Sequence, residues 1–223
     1  MKHWLSEFIY PQCVFGKELV SYIDQNLSET KLIIDCPCGN GETTHHLSKA
    51  TGASVLGIDL SSESIKTAKN NYKGTNISFM CADIKESVAF IKSNSTYCLI
   101  NSLFLFDNAS EILILLQQKL KEVSNSKLII IVPNTKGKNF VWFQKKHPNE
   151  NKFILEYEEF QAFFEKMNFK VNQIKPICYT HHFNRTDTRF LSLFWGIYLN
   201  FLNSLQTILK IGKPNYFFIA LST

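Results

Sequence analysis

Short runs of β-branched and apolar residues alternate with helix-like patterns along most of this 223-residue chain. The apolar runs occupy Lys31–Cys36, Ser54–Asp59, Ile77–Cys81, Thr96–Asn101 and Lys127–Val132. The helix-like patterns cover residues 42–50, 61–72, 84–92, 108–123 and 156–167. Strands that are apolar along their whole length are typical of a parallel sheet covered on both faces. Five strand–helix units in succession therefore predict a doubly wound α/β sheet with right-handed crossovers.

The composition agrees with one globular domain. Hydrophobic residues make up 45% of the chain, which excludes intrinsic disorder, and nine Gly with six Pro exclude a collagen-like or low-complexity protein. No linker-like stretch divides the chain, so a single domain is predicted over residues 1–223. The spacing of Asn108 and Glu111 predicts a capping box at the start of the fourth helix.

Cysteine usage predicts a reducing compartment. The six cysteines stand at positions 13, 36, 38, 81, 98 and 178, and no export signal with a cationic run, an apolar core and a cleavage site accompanies them. Reduced thiols and a cytoplasmic location are therefore expected. Cys36 and Cys38 have no second Cys/His pair at ligand spacing, so no metal site is predicted.

The net charge of +5 arises in the C-terminal half, where residues 136–152 are rich in lysine. This stretch is either a solvated loop or an electrostatic funnel for an anionic substrate or a nucleic acid. The solvated loop is the favoured interpretation, because basic residues are scattered through the whole C-terminal half.

The stretch most informative about function is residues 32–41, LIIDCPCGNG. Asp35 lies at the end of a strand, and a tight loop that contains Gly39 and Gly41 then leads into a helix. Glycines allow close approach of a ligand to the backbone, and the free N–H groups of a helix N-terminus attract an anion. Asp59 ends the second strand 18 residues after Gly41, where a carboxylate is placed to accept hydrogen bonds from ribose hydroxyls. A third acid, Asp83, follows the third strand.

These landmarks, in this order, resemble the class I S-adenosylmethionine-dependent methyltransferases. The first motif of that family is Asp-x-Gly-x-Gly-x-Gly, and here it stands as Asp35-Cys36-Pro37-Cys38-Gly39-Asn40-Gly41, with proline in place of the first glycine. The resemblance implies an enzyme of the EC 2.1.1 type with S-adenosylmethionine as cofactor. It implies that the glycine loop wraps the methionine part, that Asp59 binds the ribose, and that the Asp83 region flanks the adenine.

The resemblance also assigns site residues and a fuller topology. The residues assigned to the cofactor are Asp35, Cys36, Pro37, Cys38, Gly39, Gly41, Asp59, Leu60, Asp83, Ile84, Asn101 and Ser102. It implies a Rossmann-like seven-stranded sheet, mostly parallel, whose reversed last strand pairs in a hairpin formed by Phe169–Ile177 and Tyr216–Leu221. The cofactor-binding core is expected at residues 30–135, between an N-terminal helical cap at 1–28 and a helical lid insertion at 188–211.

Two other interpretations of the glycine loop stay open. One is an ordinary α/β turn with incidental acids. The other is a nicotinamide-binding domain, which expects Gly-x-Gly-x-x-Gly, whereas Thr44 stands three residues after Gly41.

The methyl acceptor is expected beyond the ends of the fourth and fifth strands, where ligands of such sheets bind. Its predicted contacts are Tyr10, Phe15, Leu103 and Asn134, while Asn101 and Ser102 either orient a ligand or cap the next turn. A base is needed only for an acceptor that loses a proton, and His181 and His182 are the candidates unless they form a surface pair with no role. Motifs of nucleic-acid methyltransferases are missing, so a small-molecule partner is predicted and no nucleic acid is expected.

Residues 190–209 contain no charge, yet small and polar residues recur on one side of the predicted helix. An amphipathic lid over an apolar acceptor is favoured over peripheral contact with a membrane or a lipid-linked substrate, and over a helix that spans the bilayer. A cofactor-binding protein without transferase activity is the alternative from another functional class. The oligomeric state is left open.

Overall fold

The computed structural model describes residues 29–137, 155–177 and 216–223, together with Tyr22, Phe140, Val141, Gln144, Lys145, Leu205, Leu209 and Pro214. Within these residues seven strands form one sheet. They are β1 (Leu32–Asp35), β2 (Ser54–Asp59), β3 (Ile77–Cys81), β4 (Ser95–Ile100), β5 (Lys127–Pro133), β6 (Lys170–Ile177) and β7 (Tyr216–Ser222).

The order across the sheet is β3-β2-β1-β4-β5-β7-β6. The neighbours from β3 to β5 pair in parallel, whereas β7 is antiparallel to both β5 and β6. The chain therefore runs outward from β1 to β3 on one side of the sheet. It then returns to the centre and runs outward from β4 to β5 on the other side. The predicted doubly wound, Rossmann-like sheet with a reversed last strand is confirmed.

Five α-helices are described beside the sheet. They are α1 (Glu42–Ala50), α2 (Ser62–Asn71), α3 (Ile84–Ser87), α4 (Ala109–Lys121) and α5 (Phe160–Lys166). Single 3₁₀ turns cover Val88–Phe90, Leu103–Leu105 and Tyr157–Glu159. The helix predicted over 84–92 is thus a short α-helix followed by a 3₁₀ turn, in which the Ile91 N–H donates to the Val88 carbonyl.

The capping box predicted for α4 is wrong. Asn108 occupies the N-cap with φ −110° and ψ 33°, and its side chain accepts no capping hydrogen bond. An N-cap side chain reaches the first turn from an extended backbone, which Asn108 does not adopt. A capping box does form before α5, where the Glu156 N–H donates to the Glu159 carboxylate over 2.9 Å.

The central strands β1, β4, β5 and β7 are buried on both faces, which explains why they are apolar along their length. Successive side chains of a strand point to opposite faces. Ile34 and Leu99 accordingly belong to one hydrophobic cluster with α4, while Ile33 and Cys98 belong to another with Leu47 of α1. Every residue of β4 is buried. The polar residues that follow the strands collect at one edge, the carboxyl ends of β1, β2, β4 and β5.

Candidate cofactor site

The glycine loop joins β1 to α1 and contains two glycines with different tasks. Gly39 has φ +53°, and a Cβ built on it would meet no atom within 4 Å, so its backbone borders open space. Gly41, the N-cap of α1, has φ +82°, and a Cβ there would lie 2.7 Å from the Phe79 ring and 2.8 Å from the Ala68 Cβ. Gly39 therefore leaves room for a ligand, whereas Gly41 is required by packing within the protein.

Asp59 connects the end of β2 to this loop. Its Oδ2 accepts a hydrogen bond from the Gly39 N–H at 2.8 Å, and its Oδ1 accepts one from the Ser61 N–H at 2.9 Å. A carboxylate offers about four lone-pair positions, so two remain for hydroxyl donors of a ligand. Asp59 thus holds the loop in place and keeps acceptor capacity for a ligand. The sequence pattern predicted the ribose contact but not the bond to Gly39, which depends on the distance between two strand ends.

Asp35 lies behind the loop and not in the open site. Its side chain is 1% exposed, and its Oδ2 accepts a hydrogen bond from Thr44 Oγ1 at 2.6 Å. Burial raises the pKa of Asp35 to about 7, although the Thr44 hydroxyl opposes this rise, and the nearby Asp59 charge adds to it. Thr44 lies in the first turn of α1 and was not predicted as a site residue. In the sequence it was noted only because it stands where a nicotinamide-binding motif would have its third glycine.

Asp35→Asn is expected to change how stability depends on pH. An unfolded aspartate has a pKa near 3.9, whereas folded Asp35 titrates at about 7. The folded state therefore binds more protons between these pH values, and the stability contributed by Asp35 falls as the pH rises toward 7 and is constant above it. Asparagine still accepts the Thr44 hydrogen bond but does not titrate.

The measurement for this variant is the free energy of unfolding in urea at pH 5 and pH 7.5 for both proteins. The stability of Asp35→Asn relative to wild type should be greater at pH 7.5 than at pH 5. Parallel pH curves would show that folded Asp35 has an ordinary pKa.

Three buried cysteines pack around the base of the loop. Cys36 and Cys98 are 1% and 0% exposed, and Cys38 packs against Phe79 and Ala68. Burial raises the pKa of Cys36 to about 11 and those of Cys38 and Cys98 well above their usual range. All three are therefore neutral thiols at physiological pH and act as packing groups.

The other residues assigned to the cofactor fall at neighbouring strand ends. Leu60 is 70% exposed beside Asp59 and offers an apolar surface next to it. Asp83 is the N-cap of α3 and its Oδ1 accepts a hydrogen bond from the Lys85 N–H at 2.8 Å, while Ile84 is buried. Pro37, which follows a cis peptide bond, belongs to the loop itself.

Asn101 and Ser102 follow β4. The Asn101 backbone is left-handed, with φ +51°, and its N–H donates to the Ile131 carbonyl at 2.8 Å. This conformation ends β4 at Ile100, one residue before the predicted end. Ser102 is 3% exposed.

The predicted acceptor contacts are only partly described. Leu103 is fully buried. Asn134 donates from Nδ2 to the Pro214 carbonyl at 2.7 Å and accepts the Lys136 N–H at 3.0 Å, so both ends of its amide fix the loop after β5. Tyr10, Phe15, His181 and His182 lie outside the described residues, as does the 190–209 segment apart from Leu205 and Leu209.

Comparison with known proteins agrees with this geometry. Residues 33–122 match a family model described as "Methyltransferase domain", a range that runs from β1 to the end of α4 and contains the loop, Asp59 and Asp83. This part of the chain is similar to the methyltransferase domain family, in agreement with the resemblance that the sequence motifs indicated. Solved structures of similar fold contain bound S-adenosylmethionine or S-adenosylhomocysteine, which agrees with the cofactor predicted for this chain.

Individual relatives are distant. A protein named as an inferred methyltransferase, 235L of Invertebrate iridescent virus 6, is 39% identical over 67 residues. The match spans 29% of this chain and only 24% of that relative's length.

Two solved structures share the fold of this chain over nearly its whole length. A SAM-dependent methyltransferase from Archaeoglobus fulgidus is 15% identical with a TM-score of 0.60, covering 93% of this chain and 94% of the other. The magnesium protoporphyrin IX methyltransferase from Synechocystis PCC 6803, solved with bound S-adenosylhomocysteine, is 16% identical with a TM-score of 0.60, covering 98% and 86%. At these identities the likeness concerns the fold.

Proposed function

We propose that this methyltransferase transfers the methyl group of S-adenosylmethionine to an oxygen, nitrogen or carbon atom of a small, partly apolar molecule. The observation that carries the proposal is Asp59, which links the end of β2 to the Gly39 N–H over 2.8 Å while the space above Gly39 stays open. Backbone N–H groups and a carboxylate acceptor thereby stand at adjacent strand ends. Groups of these two kinds suit the binding of a ligand such as S-adenosylmethionine, which joins an amino acid to a nucleoside.

The cofactor supplies the activated methyl group, which leaves its sulfonium by in-line displacement. The protein contributes binding and orientation, because effective transfer requires the acceptor atom to be held about 3 to 3.5 Å from the methyl carbon. Asp59 and the glycine loop fix the cofactor. When the acceptor carries a proton, His181 and His182 are the proposed bases.

The acceptor is proposed to bind beyond β4 and β5, under a lid formed by residues 188–211 and beside Tyr10 and Phe15 of the 1–28 cap. The chain between β4 and α4 is apolar, and Leu105 is 44% exposed there, which supports an apolar acceptor. The Synechocystis neighbour is named a magnesium protoporphyrin IX methyltransferase, so this fold occurs in an enzyme named for a small molecule.

The location of the protein bears on the same proposal. No helix within the described ranges is both long enough and apolar enough to cross a membrane. We propose a cytoplasmic enzyme with one domain over residues 1–223, in which residues 190–209 cover the acceptor and do not contact a lipid surface.

The test is transfer of label from S-adenosyl-[methyl-³H]methionine in a cell extract supplied with the purified protein. Label should move into a small-molecule fraction, and the Asp59→Ala variant should transfer none above background. Label in the lipid, protein or nucleic-acid fraction would contradict the acceptor class. Calorimetric binding of S-adenosylhomocysteine without any transfer would favour a non-catalytic cofactor-binding protein.

A further inference from the structure

Three polar side chains from three different elements meet inside the hydrophobic core. Tyr97 of β4 and Ser87 of α3 are both 0% exposed, and Cys36, the first residue after β1, is 1% exposed. Tyr97 and Cys36 belong to the same hydrophobic cluster as Ile34 and Leu99. A polar group buried among apolar side chains is unfavourable unless it is hydrogen-bonded. The bonds among these three side chains are therefore what allows them to occupy the core.

Each hydroxyl of this network has one proton, which fixes the direction of each bond. Ser87 Oγ donates to the Ile84 carbonyl at 2.6 Å, so its proton is used there. The bond between Ser87 Oγ and the Tyr97 hydroxyl then takes its proton from Tyr97. The Cys36 thiol, which is hydrogen-bonded to the same Tyr97 hydroxyl, donates to the Tyr97 oxygen. The bonds thus run from Cys36 through Tyr97 and Ser87 to the Ile84 carbonyl.

The network joins two segments that are far apart in the sequence and that both belong to the candidate site. Cys36 begins the glycine loop, and its N–H donates to the Cys98 carbonyl of β4 at 3.1 Å. Ser87 ends the turn at residues 83–87, which we call the Asp83 turn, because the Ser87 N–H donates to the Asp83 carbonyl at 3.0 Å. The Tyr97 hydroxyl therefore lies between the glycine loop and the Asp83 turn and is bonded to both.

The ring and the hydroxyl of Tyr97 have different tasks. The ring fills space in the core, which a phenylalanine ring of nearly the same volume would also do. Apolar packing is non-directional, so it tolerates small shifts of one element against another. The hydroxyl bonds Ser87 only within the narrow range of distances and angles that a hydrogen bond allows. Only the hydroxyl, therefore, specifies one position of the Asp83 turn against β4.

We propose that the Tyr97 hydroxyl is a positioning group, which fixes the Asp83 turn relative to the glycine loop before the cofactor binds. This inference rests on the proposed function, in which the loop and the Asp83 region bind different parts of one ligand. Tyr97 acts through Ser87 and Cys36. A crevice whose two sides already have the correct spacing loses less conformational freedom on binding, so its affinity for the ligand is higher.

The first test compares Tyr97→Phe with Ser126→Ala, since each variant removes one buried hydroxyl. Ser126 Oγ donates to the Lys92 carbonyl at 2.8 Å, and Ser126 stands directly before β5, at the edge of the sheet opposite the candidate site. Both variants should have a lower Tm than wild type. In calorimetry, the dissociation constant of S-adenosylhomocysteine should rise about threefold to tenfold for Tyr97→Phe, as expected for one hydrogen bond. It should stay within about twofold of wild type for Ser126→Ala.

Hydrogen exchange gives a readout that a general loss of stability would not move. The Ser87 amide, which is bonded to the Asp83 carbonyl, should exchange faster in ligand-free Tyr97→Phe than in wild type. Saturating S-adenosylhomocysteine should slow it again, because the ligand then fixes the turn. In Ser126→Ala the Ser87 amide should exchange at the wild-type rate.

Ser87→Ala tests the same bond from its other end. The double variant Tyr97→Phe/Ser87→Ala should bind S-adenosylhomocysteine about as weakly as the weaker of the two single variants, because both substitutions remove one shared bond. Ser87→Ala alone should have a lower Tm than Tyr97→Phe, since it leaves the buried Tyr97 hydroxyl without its acceptor.

The inference is overturned if Tyr97→Phe binds S-adenosylhomocysteine like wild type, or if the effects of Tyr97→Phe and Ser87→Ala on affinity add up in the double variant. An equal loss of affinity in Ser126→Ala would also overturn it, because reduced stability would then explain the result. A wild-type protein that does not bind S-adenosylhomocysteine would contradict the proposed function itself, so the two failures are distinguishable.

Discussion

Asp59→Ala is expected to weaken the binding of S-adenosylhomocysteine by at least about 100-fold, since two hydrogen bonds from ribose hydroxyls to a carboxylate contribute about 1.5 to 3 kcal/mol each. The variant loses a second function as well. The Gly39 N–H, 2.8 Å from Asp59 Oδ2, no longer has its acceptor, so the glycine loop is less fixed before the ligand arrives. Isothermal titration calorimetry measures the affinity. Hydrogen exchange at the Gly39 amide, faster in the variant without ligand, measures the loosened loop.

Glu63→Ala is the matched control, because Glu63 is an exposed acid in the first turn of α2, close in sequence to Asp59. Its affinity should stay within about twofold of wild type, as for most exposed substitutions. Asp59→Ala should weaken the binding of S-adenosylhomocysteine and of 5′-methylthioadenosine alike, because both molecules contain the ribose. Wild-type affinity in Asp59→Ala would refute the ribose assignment, and unchanged exchange at Gly39 would refute the link to the loop.

Gly41→Ala is expected to lower the free energy of unfolding by about 3 kcal/mol, the sum of two costs. A left-handed backbone costs a non-glycine residue about 1 to 2 kcal/mol, and overpacking costs about 1 to 3 kcal/mol. Both apply because Gly41 has φ +82° and its added methyl would lie 2.7 Å from the Phe79 ring. Phe79 is itself buried against Ala68, so it has little room to move. Urea denaturation measures the change.

Two other glycines separate these costs. Gly39→Ala has only the backbone cost, because φ is +53° and no atom lies within 4 Å of the new Cβ. Its free energy of unfolding should fall by about 1 to 2 kcal/mol. Its affinity for the cofactor should fall as well, because the new methyl group enters the open space above Gly39. Gly52→Ala has neither a left-handed φ nor a close contact, so its stability should be close to wild type. Equal losses for Gly41→Ala and Gly39→Ala would show that the contact with Phe79 is relieved without cost.

The central strands β1, β4 and β5 were predictable because burial on both faces leaves a continuous apolar run in the sequence. β2 and β3 have the bounds that the pattern indicates, Ser54–Asp59 and Ile77–Cys81. Local signals at element ends were less informative. Asn108 and Glu111 have the spacing of a capping box, but the backbone at Asn108 does not present its side chain to α4. The spacing of two residues in the sequence shows that a capping pair is present. It does not show which dihedral angles the backbone adopts in the packed chain.

The sequence by itself determined the order of strands and helices, the glycine-rich turn after β1 and the acids at the ends of β1 and β2, because hydrophobic periodicity and turn chemistry are local properties. Only the tertiary structure decided what these acids do. It buried Asp35 against Thr44, so that its pKa rises to about 7, and it brought Asp59 within 2.8 Å of the Gly39 N–H. It also left the Ser102 hydroxyl buried without a partner among the described residues. Burial and hydrogen bonding between residues far apart in the chain depend on how strands stack side by side, which no local pattern records.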